Sequence, residues 1–277
     1  MTETKWENPN AFFLTIRCME KRYADSFIDH GCLKFNTPRS WEEYAEEGRG
    51  DVYEGTLAFY SKTYPSQYEL LKNKYSDAYQ YKLSERILLK DHRDMNLPCL
   101  CFYTAKLSDF AVPSKEGVQK INSEIAGKYF QDFADHMTQE ESEKLAKEDP
   151  DKQPAMVVIR DFDEFFIRLK KKLLELGIKE EQILAQQVCY ENFDKYGKTG
   201  SYMDFNMKRP HELFVKSDKF KHQNELRVII DTDDPEQLKI FESPIKIGSL
   251  SDIAIKSVGY HPAGIIIEGK ADIKRTD

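Results

Sequence analysis

The amino-acid sequence predicts an α+β fold: a mixed, largely antiparallel central sheet with helices packed around it. Three observations carry that expectation. Short apolar or β-branched runs recur at 12–16, 97–104, 156–159 and 225–231. Between them lie stretches with helical spacing, clearest from Phe162 to Leu174. The two kinds of element follow one another without regular strand–helix–strand alternation, which argues against a doubly wound parallel sheet.

The elements follow in order. Phe12-Phe13-Leu14-Thr15-Ile16 reads as a buried strand ending at Arg17. From Lys21 to His30, apolar residues at Tyr23, Ala24, Phe27 and Ile28 have helical spacing, and Gly31 supplies a C-terminal stop. A short strand, Leu33 to Asn36, leads into a turn-rich segment from Arg39 to Asp51, and Glu54 to Tyr60 resumes as a strand. Two polar stretches, at about 62–97 and 113–153, are read as helical insertions. Leu97 to Thr104 and Met156 to Ile159 are strands.

Asp161 then fits a helix N-cap with Glu164 three residues on. Phe162, Phe165, Phe166, Leu169, Leu173 and Leu174 form one apolar stripe that ends at Gly177. Gln187 to Tyr190 is a further strand. Glu225 to Asp231 is the strongest, rich in β-branched residues. Ile245–Gly248, Ile253–Tyr260 and Ile265–Ile267 close the chain as short β elements. With 277 residues and no repeat, the whole chain, 1–277, is expected to form a single domain.

Composition bounds the function classes. No run of 18 apolar residues exists, so no membrane span is expected. The polar, acidic N-terminus lacks secretory character, and five scattered cysteines without CxxC spacing fit reduced thiols in the cytoplasm. The net charge of −7 argues against non-specific duplex nucleic-acid binding, which depends on neutralising phosphates. A small nucleotide or a protein partner is compatible with it. Tyr-rich text between 60 and 81 reads either as an interface or as a cover for the sheet. The six histidines form no zinc-like cluster, so no metal is expected. Neither a GxGxxG nor a P-loop pattern is present.

Several short motifs, in order, carry a resemblance. Gly31-x-Leu33-x-Phe35-x-x-Pro38 and Asp51-x-x-Glu54-Gly55 come first. Pro98-x-x-Cys101-Phe102, Val157 to Leu174 and Val188-x-Tyr190 follow. Phe214-x-Lys216, Phe220 and Asn224-Glu225-Leu226-Arg227 close the series. Together they resemble a widespread bacterial and phage domain of unknown function. Tyr103 stands where that family has a serine, and Phe220 and Asn224 also depart from its pattern. The resemblance implies a cytosolic bacterial or phage protein acting in defence or host interaction.

The order of elements is also similar to ADP-ribosyltransferases. That likeness implies NAD as substrate, with Arg17 gripping the dinucleotide and Glu225 as the catalytic carboxylate. The serine expected between them would fall on Tyr103 or Thr104. A carboxylate near the ribose stabilises the developing oxocarbenium charge. A guanidinium matches pyrophosphate with a fixed fork of donors. Tyr53, Tyr60 or Tyr103 would stack on the nicotinamide.

Each of these residues also has a purely structural reading. Glu225 and Arg227, two apart on a strand, face the same side. They can pair with each other or with Lys216, Lys219 or Lys221 and rim the sheet. Asp51 and Glu54, after Gly48-Arg49-Gly50, form either an acidic wall shared with Arg17 or Arg227, or an Asp-capped turn. Cys101 is either a nucleophile or an inert buried thiol. Two functions follow: an ADP-ribosyltransferase or NAD glycohydrolase, and a non-catalytic binding protein of phage defence or host takeover.

Overall fold

The computed structural model describes residues 12–46, 50–63, 78–106, 117–134, 137–197, 202–203, 209–262 and 264–273. In chain order the strands begin with β1 (Phe12–Glu20), β2 (Cys32–Leu33), β3 (Thr56–Ser61), β4 (Ala78–Lys82), β5 (Arg86–Asp91), β6 (Cys99–Lys106), β7 (Gly117–Ala126) and β8 (Pro154–Ile159). They continue with β9 (Ile183–Gln187), β10 (Cys189–Glu191), β11 (Tyr202–Met203), β12 (Val215–Ser217), β13 (Glu225–Ile230), β14 (Ile245–Lys246), β15 (Ala254–Val258) and β16 (Gly264–Ile273). The α-helices are α1 (Lys21–His30), α2 (Pro38–Glu46), α3 (Gly127–Phe133), α4 (Gln139–Glu148), α5 (Phe162–Glu175) and α6 (Pro235–Ile240). The chain is α+β, and its sheets are largely antiparallel. It packs as two compact units: Met1–Leu33, Phe102–Lys172 and Lys246–Asp277 form one, and Lys34–Cys101 with Leu173–Ile245 the other.

In the first unit the strand order is β15-β8-β1-β6, antiparallel throughout; Ile16 of β1 lies between Val158 of β8 and Tyr103 of β6. Leu14, Ile16, Cys18, Met156 and Val158 share a core cluster with Phe130 of α3. A second aromatic cluster ties the helices down: Phe27 of α1 stacks on Phe165 of α5, and Phe102 of β6 meets Phe162 and Phe165 edge-on. Burying each of these phenyl rings contributes about 1.5–3 kcal/mol. Helix α1 ends at Gly31, whose φ of 59° is left-handed. A Cβ there would also run into the Gly248 carbonyl and the Ile247 side chain. At the start of α5 the Asp161 carboxylate accepts from the Glu164 N–H at 3.0 Å, the expected N-cap. β7 and β16 pair over ten residues as a separate antiparallel ribbon.

In the second unit β11-β3-β5-β4 form an antiparallel sheet, β13 pairs antiparallel with β9, and β10 runs parallel to β12. Leu97, Cys99, Leu213, Phe214 and Ile229 form one cluster, and Phe59, Leu88 and Phe193 another.

Four expectations are corrected. Strand β1 runs on to Glu20, so Arg17 sits within a strand and not at its end. The segment from 38 to 46 is helix α2, not a turn, because Pro38 starts it and Ser40 folds back onto the Thr37 carbonyl at 2.7 Å. The described part of 62–97 is chiefly the β4–β5 hairpin, and the 113–153 stretch opens with β7 before helices α3 and α4. Residues 64–77 and 107–116 lie outside the described residues. On α5, Leu174, the last residue of the apolar stripe, is exposed.

Candidate functional site

The second unit buries an unusual number of charges, and the turn from Asp51 to Gly55 sets them in place. The Asp51 carboxylate accepts from the Tyr53 N–H at 3.0 Å and from the Ser217 N–H of β12 at 2.6 Å. This Asp-capped turn brings β12 and the start of β3 together. Gly55 closes it at φ 65°, where a Cβ would strike the Met95 sulfur. Glu54 is thereby pointed inward and is almost wholly buried.

Four side chains converge there. Arg227 Nε and Nη2 donate to Glu225 Oε2 at 2.9 and 2.6 Å. Its Nη1 donates to Glu54 Oε1 and to the Leu213 carbonyl. Lys216 Nζ donates to Glu225 Oε1 at 2.9 Å and to Gln223 Oε1 at 2.6 Å, with Glu54 Oε2 at 3.9 Å. The Trp41 ring lies 5.1 Å from the Arg227 guanidinium, and the Phe220 ring 5.0 Å from Lys216 Nζ. Tyr190 Oη accepts from the Glu225 N–H at 2.9 Å. The side chains of Arg227, Glu54, Lys216 and Glu225 are between 1% and 9% exposed.

Charge in so dry a place must be balanced. Burial pushes the Glu225 carboxyl up, but Arg227 and Lys216 outweigh it and hold it at about 2. Burial pulls Lys216 and Arg227 down, and Glu225 with Glu54 more than restores both. Asp51 moves the other way: burial and the nearby Glu54 raise it. Burial pushes the Cys101 thiol up to about 12, helped by Glu225, which leaves it inert.

A second ionic group adjoins this one. Lys90 of β5 is fully buried and donates to Glu42 of α2 at 2.9 Å. Burial lowers Lys90, and Glu42, Glu54 and Asp51 oppose that shift. Arg39 Nη1 donates to Glu42 at 2.8 Å and to Tyr79 Oη at 2.7 Å, and its guanidinium lies over the Tyr79 ring. Sequence reasoning missed Trp41, Glu42 and Lys90. Lys90 carried a signal, since it stands at a buried position two residues after Leu88, but reading that stretch as helix concealed it.

Of the predicted site residues, Glu54, Glu225 and Arg227 are brought together, with Asp51 supporting them. Tyr53 lies in the same unit but serves a different cluster. Its hydroxyl accepts from Arg86 at 2.8 Å, and its ring stacks on Phe193 with centroids 4.6 Å apart. Arg17 and Tyr103 belong to the first unit. The Arg17 guanidinium lies 5.6 Å from the Phe102 ring, and Tyr103 stacks on Tyr129. Among the described residues, no group of three or more His, Cys, Asp and Glu side chains is placed to hold a metal ion. Comparison with family models, curated proteins and solved structures returns no match.

Proposed function

We propose that the chain works as a non-catalytic binding or interaction protein of a bacterial or phage conflict system. In this reading the Glu54–Lys216–Glu225–Arg227 network is framework. One observation carries it: both Glu225 oxygens are taken by Lys216 and Arg227, in a side chain only 9% exposed. A carboxylate that stabilises a ribosyl cation must face the sugar, and one held by two internal cations has little negative potential left for it. The cytoplasm is the compartment this reading assigns, and the five free thiols suit it.

A specific observation also favours NAD chemistry as a second reading. Glu225 stays ionised throughout the physiological range, as an oxocarbenium stabiliser must. Arg227 would then hold the pyrophosphate, with Glu54 or Asp51 lining the acidic side and Tyr53 against the nicotinamide.

Purified protein incubated with NAD separates the two. The framework reading expects no nicotinamide release and no thermal shift with NAD. Turnover that disappears in a folded Glu225→Gln variant would establish the enzyme and overturn it. In a bacterial host carrying the gene, phage plating efficiency is expected to change by tenfold or more. An unchanged efficiency across a phage panel would remove the conflict role.

A further inference from the structure

Strand β9 lies at the end of its sheet, beside β13 and with no further strand against its other side among the described residues. The backbone bonds fix which of its residues face β13. At one end the Asp231 N–H donates to the Gln182 carbonyl at 2.8 Å, and at the other the Val188 N–H donates to the Glu225 carbonyl at 2.9 Å. Hydrogen-bonded pairs alternate along an antiparallel ladder, so Leu184 is bonded in this way to Ile229 and Gln186 to Arg227. Ile183, Ala185 and Gln187 therefore turn their N–H and C=O groups away from β13. None of these groups has a backbone partner among the described residues.

An open edge of this kind is a template for another strand unless something blocks it. Proline, charge and bulges are the usual blocks, and β9 has none of them. Its sequence is Ile-Leu-Ala-Gln-Gln, and its register on β13 is unbroken over five residues. Ala185 and Gln186 are exposed. The edge strand β15 is guarded by contrast. Lys256 sits in its middle and is held by Asp25 of α1, and the Ala254 N–H is taken by the Leu250 carbonyl at 2.8 Å.

We propose that β9 is a dimer interface, pairing antiparallel with β9 of a second copy of this chain about a two-fold axis at Ala185. The outward residues are spaced evenly about Ala185, so the axis sets Ala185 opposite Ala185 and Ile183 opposite Gln187. Every outward N–H then meets an outward carbonyl of the other copy. No charge meets a like charge across the strands, and the smallest side chain lies at the axis, where two identical residues must fit together. The ends match as well, because antiparallel pairing carries the start of one β9 to the end of the other. Glu180 and Glu181, outweighing Lys179, are exposed just before β9. At its far end Gln187 donates to Asn224 at 2.9 Å, and Lys221 is exposed on the 3₁₀ turn that Asn224 closes. Acid on one copy thus approaches base on the other, which favours this orientation. The pairing goes beyond the binding role proposed above and does not depend on whether Glu225 acts on NAD.

A five-residue pairing is small beside the roughly 800 Å² a side of a standard interface, so a dissociation constant in the micromolar range is expected. Sedimentation equilibrium of the full chain from about 1 to about 200 μM should show monomer giving way to dimer. Two variants break the interface without touching the β13 ladder. Ala185→Pro removes an N–H that β13 does not use, and Ala185→Lys sets two like charges opposite each other at the axis. Both should stay monomeric to the top of this range, with the circular dichroism of wild type. Amide exchange of wild type locates the contact without any variant. Protection of the Ile183, Ala185 and Gln187 amides should rise at least tenfold from the bottom of the range to the top, and that of 254–258 should not. A wild type that stays monomeric overturns the proposal, even if it takes up an extended peptide from another protein. A dimer that survives both substitutions, or that leaves those three amides exchanging as in the monomer, overturns it too.

Discussion

At the scale of single residues, Glu225 dominates the energetics, because it is the shared acceptor of two buried cations. Removing one partner of a buried pair leaves the other charge stranded, which costs about 3–5 kcal/mol. Glu225→Ala is therefore expected to destabilise the protein by that amount in urea titration. Replacing Glu54, Glu225, Lys216 and Arg227 together by apolar residues should cost far less than the single change, since both carboxylates and both cations leave together. A single variant within about 1 kcal/mol of wild type would mean that water reaches this site.

The same carboxyl sets an acid limit. It is depressed on folding from the usual 4.5 to about 2, so its contribution is fully present above pH 4.5 and is lost as pH falls through about 2. Each unit of such a shift corresponds to about 1.4 kcal/mol. Acid titration followed by circular dichroism should show wild type losing stability across this window more steeply than Glu225→Gln. Equal slopes would place the acid-sensitive group elsewhere.

At the scale of elements, the helix boundaries carry their own predictions. Gly31→Ala forces a left-handed φ on a residue with a Cβ and drives that carbon into the Gly248 carbonyl. A loss of at least about 1–2 kcal/mol is expected, measured as a fall in melting temperature. Asp161→Ala removes the α5 cap and should cost about 1 kcal/mol, with Asp161→Asn restoring most of it.

These boundaries were legible in the sequence because caps and glycine stops are local. So were β1, β8, β13 and the core of α5, whose apolar runs need no distant partner to be recognised. The β4–β5 hairpin was not. Its strand β5 places Arg86, Leu88 and Lys90 at buried positions, so charge and burial no longer track each other. Lys90 is paired there with Glu42, 48 residues earlier, and no local pattern announces that pairing. The candidate site divides the same way. Pairing of Glu225 with Arg227 and Lys216 follows from a two-residue spacing on one strand and a nearby lysine. Glu54 reaches them from 173 residues away, and its part rested on a short acidic motif. Leu174 shows the remaining limit: an apolar residue near a helix end need not be covered.

At the scale of the whole molecule, no described helix is long and apolar enough to cross a membrane. The chain carries a net charge of −7. A short DNA duplex at physiological salt should therefore show no mobility shift, since a phosphate backbone needs a basic face to release its counterions. A tight, salt-sensitive complex would reveal such a face. Both compact units are assembled from separated stretches of chain. Residues 1–172 and 173–277, expressed apart, are thus each expected to lack a cooperative unfolding transition. A sharp transition in either fragment would show that it folds alone.

Strand β6 gives its first three residues to one unit and the rest to the other, and it sets Leu100, Phe102 and Thr104 on one face and Cys99, Cys101, Tyr103 and Ala105 on the other. Deleting or inserting one residue there would turn every later side chain to the opposite surface. Tyr103 would then fall where Phe102 meets Phe165, and the damage would spread into both halves of the protein at once. Evolution can lengthen the surface connections of such a molecule freely, but the eight residues from Cys99 to Lys106 must keep their number.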